Sequence, residues 1–148
     1  MVQRPMDLVA LIERNADDLT RSWLRIVRSH PGTPTYHRHD EQELYQRAYR
    51  VYSQLGKWIS RQTTKKDIAA QYTALGAERR REGFEISEII HALLVARRVL
   101  WFKVQAEGFL DTALDLNRAL DLYNRVLLFF DRATYFAAVG YEQERHRT

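Results

Sequence analysis

Apolar residues recur along most of the chain at spacings of three and four, the period of an amphipathic helix. Together with the positions of proline and glycine, the pattern predicts five helices, over about 6–29, 41–61, 64–81, 86–107 and 111–146. No alternating apolar and polar stretch is long enough to form a strand. We therefore expect an all-α fold, most simply a four- to five-helix antiparallel bundle with a long C-terminal helix.

Polar residues at the predicted helix ends support these boundaries. Asp40 is placed to cap the second helix, and Thr64 with Asp67 forms a capping box before the third. Gly83 ends the third helix, because glycine readily adopts the left-handed conformation that is common after a helix. The segment 30–40 contains two of the three prolines, so we expect a loop there.

The last predicted helix carries two neighbouring apolar stripes, each with a four-three repeat. One consists of Leu116, Leu120, Tyr123, Leu127, Phe130, Thr134, Ala137 and Tyr141, and the other of Ala119, Leu122, Val126, Phe129, Ala133, Phe136 and Gly140. Two stripes predict two buried contacts, so either both lie in one core or one faces a second chain. We favour a homodimer, and the pattern leaves open which stripe faces the partner. The dimer contact is assigned to Leu120, Tyr123, Val126, Leu127 and Phe130.

The composition is that of a soluble globular domain, and it removes several kinds of chemistry. The chain has 148 residues, of which 45% are hydrophobic and 28% charged, and this suits one domain with a sizeable core. Cysteine is absent, which excludes disulfides, a thiol nucleophile and Cys-ligated zinc or iron–sulfur sites. The sequence shows no signal-peptide pattern and no apolar run of about 20 residues. We therefore expect a cytoplasmic protein that does not enter a membrane.

The most specific pattern in the chain is the segment 77–101, which reads AERRREGFEISEIIHALLVARRVLW. It resembles the N-terminal domain of RsbT co-antagonist proteins, the RsbRD-type domain. The shared features are the basic triplet before Gly83, the Glu-Ile-Ile run that starts at Glu88, the arginine pair before Trp101, and an early helix with Trp23. The resemblance implies a helical domain that senses a signal and modulates an output module in stress-response signalling. That module is often a STAS domain and sometimes a histidine kinase.

This resemblance leads to our main functional hypothesis, a non-catalytic and homodimeric sensory domain. Related stress-complex proteins carry a globin-like domain without haem, so a globin-like helix arrangement is a further expectation. The chain ends at Thr148 without an output module. We expect either a part of a longer protein or a stand-alone sensor that acts on its partner in trans. Binding of a signal would shift the bundle between two packings, and the last helix would pass the change on.

Two groups of residues are candidates for a ligand site. Large or polar residues on the inward stripes are candidates for a pocket: Trp23, Tyr52, Tyr72, Arg79, Trp101 and Tyr123. A second group would lie close together if the third and fourth helices pack antiparallel: Glu78, Arg79, Glu88 and Arg97. Two Glu–Arg pairs could bind a small anion. We favour the alternative, in which these residues form salt bridges that fix the packing of the two helices.

Other functions have weaker support in the sequence. His37 and His39 offer metal ligands in a loop, and His91 offers an axial ligand for haem. A solvated loop and a histidine at the edge of the core explain them better, so we expect no cofactor. The basic residues 79–81 are interpreted as helix-end charges and salt-bridge partners rather than as a nucleic-acid surface. No catalytic motif is present, and a small metal-dependent enzyme is the last alternative.

Overall fold

The computed structural model describes residues 7–107 and 112–147 and shows an all-α bundle. Within those residues the chain has eight helices and no strand. They are α1 (Leu8–Arg14), α2 (Ala16–Val27), α3 (Pro34–Arg38), α4 (Glu41–Ser53), α5 (Leu55–Trp58), α6 (Lys65–Arg81), α7 (Ile86–Glu107) and α8 (Ala113–Arg147). The predicted all-α class is confirmed, while the predicted helix starts at 6 and 111 lie outside the described residues. None of these eight helices combines the length and the apolar character needed to cross a membrane.

Strong local signals fix both ends of α6 within a residue of the prediction. The Thr64 hydroxyl accepts a hydrogen bond from the Asp67 amide at 3.1 Å, and the Asp67 carboxylate accepts one from the Thr64 amide at 2.8 Å. At the other end Gly83 has a φ of +94°, and the Phe84 amide donates to the Arg79 carbonyl at 3.1 Å. This arrangement is a Schellman motif, and it turns the chain from α6 into α7.

The first two predicted helices are each interrupted, and the predicted loop between them contains a short helix. Between α1 and α2 the side-chain amide of Asn15 donates to the Leu11 carbonyl at 2.7 Å, a local bond that competes with the regular helix. After the break between α4 and α5, the Gly56 amide donates to the Glu13 carboxylate at 3.1 Å. The short helix α3 begins at Pro34, whose fixed φ suits the first position of a helix.

The longer helices form a ring around the core. α2 packs against α4 and α7, and α8 packs against α7 and α6. α7 and α8 are antiparallel, and Trp101 lies against Tyr123 with their ring centroids 4.5 Å apart. α6 runs in the same direction as α8, and Arg81 at its end pairs with Glu144 near the end of α8 at 3.1 Å. The centre of the ring is therefore in contact with most of the longer helices.

α6 and α8 approach each other so closely that only glycine fits where they cross. A Cβ atom on Gly76 would lie 1.9 Å from the carbonyl oxygen of Ala137. A Cβ atom on Gly140 would lie 1.9 Å from the carbonyl oxygen of Thr73. Each helix thus presents a glycine to the backbone of the other, and the C-terminal half of α8 is held directly against α6.

The two apolar stripes of α8 have different surroundings. The stripe that contains Val126 is buried or half-buried along its whole length. The other begins exposed at Leu116 and Leu120, which keep 48% and 56% of their surface, and ends buried at Tyr141. A four-three repeat averages 3.5 residues per turn against 3.6 in a straight helix, so such a stripe winds around the helix by about 20° per heptad. Only the first half of this stripe is therefore open to a partner.

Candidate functional site

A cavity of about 80 Å³ lies at the centre of the ring of helices. Its lining is mainly apolar and consists of Trp23, Tyr36, Leu44, Arg47, Ala48, Val51, Tyr52, Tyr72, Leu75, Arg79, Ile89, Ala92, Leu93, Ala96 and Phe130. These residues come from α2, α3, α4, α6, α7 and α8. Four of the six pocket residues predicted from the sequence lie here: Trp23, Tyr52, Tyr72 and Arg79.

Two aromatic residues of the lining are fixed by hydrogen bonds to α7. The indole nitrogen of Trp23 donates to the Ala92 carbonyl at 2.9 Å, and the Tyr52 hydroxyl donates to the Ala96 carbonyl at 2.8 Å. The two carbonyls are one turn apart, so both rings lie along the same face of α7. Burial raises the pKa of the Tyr52 phenol, which remains neutral. These side chains form walls whose polar atoms are already satisfied.

Two other tyrosines of the lining have no such partner. Tyr36 and Tyr72 are 5% and 3% exposed, and neither hydroxyl forms a hydrogen bond with any described residue. Burial raises the pKa of both phenols, although the positive charge of the nearby Arg79 lowers the pKa of Tyr36 in part. Each side chain is therefore a neutral, buried hydroxyl that can still donate or accept.

Two arginines close one end of the cavity, and their counter-ions lie outside it. Nη1 of Arg79 lies 3.1 Å from Glu82 and 3.3 Å from Glu78. Nη2 of Arg47 lies 2.7 Å from Glu82 and also donates to Glu43. Burial raises the pKa of Glu82, but the hydrogen bond from Arg47 and the charge of Arg79 outweigh it, so the pKa is lowered overall. None of these carboxylates lines the cavity.

Two polar residues of the cavity, Tyr36 and Arg47, are absent from the sequence-based candidates. Tyr36 lies in the segment predicted as a loop, where a large aromatic residue between polar neighbours was the only signal of burial. Arg47 lies on the polar side of the predicted second helix, and its burial depends on its contact with Glu82 of the turn after α6. No local pattern indicates such a contact.

The family of the chain follows from a comparison of its whole sequence with known families. A model described as the RsbT co-antagonist protein RsbRD N-terminal domain matches residues 17–148. The chain belongs to this family. The resemblance seen in the segment 77–101 thus extends from the beginning of α2 onward. The RsbRD-type domain is a regulatory domain of stress signalling. No curated protein and no solved structure matches the chain significantly.

The remaining two pocket candidates of this RsbRD-type domain lie on its outside. Trp101 and Tyr123 face a shallow groove between α7 and α8, together with Leu94 and Arg97. The groove is separated from the central cavity, because the two lining sets share no residue. The structure therefore divides the six predicted residues into four at the centre and two at the surface.

Part of the predicted dimer contact is not accessible in the RsbRD-type domain. Val126 and Phe130 are 1% and 2% exposed and pack in the core of their own chain. Leu120 is exposed, and Tyr123 and Leu127 are half-buried. The contact assigned from the sequence is thereby reduced to Leu120, Tyr123 and Leu127, because the stripe turns inward beyond them.

The predicted polar group of Glu78, Arg79, Glu88 and Arg97 does not form one network. Glu78 and Arg79 are paired beside the cavity, but Glu88 accepts hydrogen bonds from the amide and hydroxyl of Thr35 at 2.6 and 2.7 Å. Arg97 pairs instead with an aspartate of α8 at 3.6 Å. Glu88 lies in the first turn of α7 and faces α3, whereas Arg97 lies about two and a half turns further along. The four residues therefore lie in three places.

One histidine of the loop that holds His37 and His39, the candidate site of the less favoured metal alternative, lies beside carboxylates. Ligand atoms of His39, Glu43 and Glu82 lie within 4.8 Å of one another. Arg47 donates to both carboxylates, so a guanidinium already compensates part of their charge. His37 is not part of this group, because its Nε2 lies 2.9 Å from a backbone carbonyl of the preceding turn. The geometry is that of an ion-pair cluster.

His91, the candidate axial ligand of the less favoured haem alternative, lies away from the cavity. Its ring packs against that of His30 at a tilt of 39° with the centroids 4.3 Å apart, and its Nε2 is buried without a hydrogen-bond partner among the described residues. Burial lowers the pKa of His91, and the neighbouring His30 and Arg98 lower it further. The lining of the central cavity contains no histidine, so this geometry gives no support to haem ligation there.

The basic triplet at the end of α6 makes contacts within the chain. Arg79 lies at the cavity, and Arg80 donates to the Tyr141 hydroxyl at 3.2 Å with its guanidinium over the ring. Arg81 pairs with Glu144 at 3.1 Å. These contacts tie the end of α6 to the C-terminal part of α8.

Proposed function

We propose that this RsbRD-type domain is a non-catalytic sensor in which a small molecule bound in the central cavity changes the packing of α8. The observation that carries the proposal is the position of the cavity, which is lined by residues from six of the described helices. An occupant would therefore contact the ring of helices from within and favour whichever packing fits it better. Its effect would reach α8 through Phe130, which lines the cavity.

The second part of the proposal is a homodimer formed through the N-terminal half of α8. The part of the first apolar stripe that is exposed or half-buried, here called the α8 stripe, consists of Leu116, Leu120, Tyr123 and Leu127. Pairing of two α8 stripes about a two-fold axis would bury the same leucines of both copies. Through α8 the dimer would modulate a STAS-type or kinase-type output domain or partner in the cytoplasm.

The dimer is tested by light scattering on wild type, Leu120→Glu and Leu128→Glu. Leu120 and Leu128 are both about half exposed on α8, but Leu128 lies outside the α8 stripe. We expect a wild-type dimer, a folded monomer for Leu120→Glu, and a dimer for Leu128→Glu. A monomeric wild type, or a Leu120→Glu variant that still dimerises, would contradict this part of the proposal.

The coupling between cavity and α8 is tested by filling the cavity with a side chain. Ala48 lines the cavity, and Ala48→Leu adds three carbon atoms there, while Ala70→Leu makes the same change on an exposed position of α6. We expect Ala48→Leu to change the dimer dissociation constant at least about fivefold, a typical coupling between two sites. The control should leave the constant unchanged. If folded Ala48→Leu dimerises like wild type, the cavity is not coupled to α8.

A further inference from the structure

The dimensions of the central cavity limit its ligand to a small molecule. Its volume of about 80 Å³ is roughly half that of the apolar cavity of about 150 Å³ that takes up benzene in an engineered protein. Side chains such as Leu44, Val51 and Leu93 form most of the wall. A ligand that fits has a short, compact hydrocarbon part.

The two unpartnered hydroxyls of the wall indicate a polar group on that ligand. Tyr36 and Tyr72 are buried, and in the described part of the chain no side chain or backbone group bonds to either hydroxyl. Buried polar groups of proteins are nearly always hydrogen-bonded, so an unpaired one in a cavity wall suits an incoming partner. A ligand acceptor at the Tyr36 end would meet a donor there.

The charge of the wall indicates the sign of that polar group. Both charged residues that line the cavity are cations, Arg47 and Arg79. Arg79 is nearly buried, and both of its ion pairs are made by Nη1, so its Nε and Nη2 have no hydrogen-bond partner among the described residues. Its partner Glu78 is half exposed and stays hydrated outside the cavity. A ligand carboxylate inside the cavity could therefore bind the edge of the Arg79 guanidinium that Glu78 and Glu82 leave unused.

We propose that the cavity binds a small monocarboxylate, with its carboxylate on Arg79 and Tyr36 and its branched hydrocarbon part against Phe130. This inference rests on the proposed sensory function and names the chemical class of its ligand. The apolar wall requires the hydrocarbon part, because a hydrated anion such as acetate gains little by leaving water. The positive charge of Arg79 and the hydroxyl of Tyr36 require the anionic part.

The probe is 2-methylpropanoate, whose branched hydrocarbon part has three carbons, compared at neutral pH with its neutral amide and with acetate. Binding is measured by calorimetry and by the chemical shifts of cavity methyl groups. We expect 2-methylpropanoate to bind and to perturb Leu93, and the amide to bind at least about tenfold more weakly, since hydrogen bonds to charged groups are the stronger kind. Acetate should not bind measurably. Equal binding of acid and amide, or no binding of the acid, overturns the assignment.

Matched variants locate the carboxylate. Arg79→Gln should weaken binding at least about tenfold, and Tyr36→Phe several-fold. The controls are Arg80→Gln, whose arginine lies outside the cavity, and Tyr49→Phe, whose ring stacks on Tyr45 at the surface. If Arg79→Gln fails to fold, Tyr36→Phe alone decides, and unchanged affinity in that variant overturns the proposal. The effect of Ala48→Leu on the dimer tests the sensory function independently of the ligand class.

Discussion

The crossing of α6 and α8 allows a quantitative prediction, because backbone faces backbone there. In Gly76→Ala the new Cβ would lie 1.9 Å from the Ala137 carbonyl oxygen and 2.9 Å from the Tyr141 nitrogen. Ordinary contact begins near 3.4 Å, so the helices must separate by about 1.5 Å. Overpacking of a core costs about 1–3 kcal/mol and occasionally more, while alanine contributes about 1 kcal/mol of helix propensity over glycine. The clashing atoms are backbone and cannot turn aside as a side chain can, so the cost lies at the upper end of that range and we expect a net loss of about 2 kcal/mol.

The assay is urea unfolding followed by circular dichroism for wild type, Gly76→Ala, Gly140→Ala and the double variant. Once the helices have separated in one variant, the second alanine should cost less, so the two losses should not add. Gly56→Ala is the control, because its Cβ would meet only side-chain atoms, of Val9 at 3.1 Å and of Glu13 at 3.4 Å, which can move. If Gly76→Ala were as stable as wild type or more stable, the close crossing would be refuted.

Two further predictions concern buried polar groups. Tyr36→Phe removes an unpartnered hydroxyl and should leave the free energy of unfolding unchanged or raise it by up to about 1 kcal/mol. Tyr52→Phe loses the hydrogen bond to the Ala96 carbonyl and should lower the free energy of unfolding by about 1 kcal/mol in the same urea assay. Because burial and the neighbouring His30 lower the pKa of His91 in the folded state, the unfolded chain takes up this proton first as the pH falls. The stability that neutral His91 provides is thus complete above a pH of about 6.5 and is lost as the pH falls below that value. The variant His91→Gln should therefore flatten the pH dependence of the free energy of unfolding, measured by urea unfolding between about pH 8 and pH 5.

The sequence predicts the fold best where local chemistry decides it. The capping box of Thr64 and Asp67 and the left-handed Gly83 fix the ends of α6 without help from distant residues. The interruption at Asn15 could not be predicted in the same way, because the apolar spacing continues across it and only the side-chain bond to Leu11 reveals the break. Helix type was therefore more predictable than helix continuity.

The candidate site was predictable only in part, for a similar reason. Tyr52 and Tyr72 lie on inward stripes, and inward position follows from the helical period, so both could be placed at the core. Arg47 is half-buried and pairs with Glu82, which is 35 residues away in sequence. Trp101 also lies on an apolar stripe, yet it faces an outer groove, because α7 is covered on two sides and open on a third. Such differences depend on the arrangement of helices and not on any one of them.

Phe130 lies where the surroundings of α8 change, and this position bears on how the proposed sensor would work. Beyond it, Gly140 is held against the backbone of α6, and Gly76 holds the same crossing from the other side. Before it, Leu116 and Leu120 are exposed on the α8 stripe. An occupant of the cavity that displaces Phe130 would therefore move a helix that is fixed at its C-terminal half and free on one face of its N-terminal half. The displacement would be largest at the α8 stripe, where the proposed partner binds. Separating the crossing with Gly76→Ala should accordingly reduce the effect of Ala48→Leu on dimerisation, because the fixed end on which the movement depends would be lost.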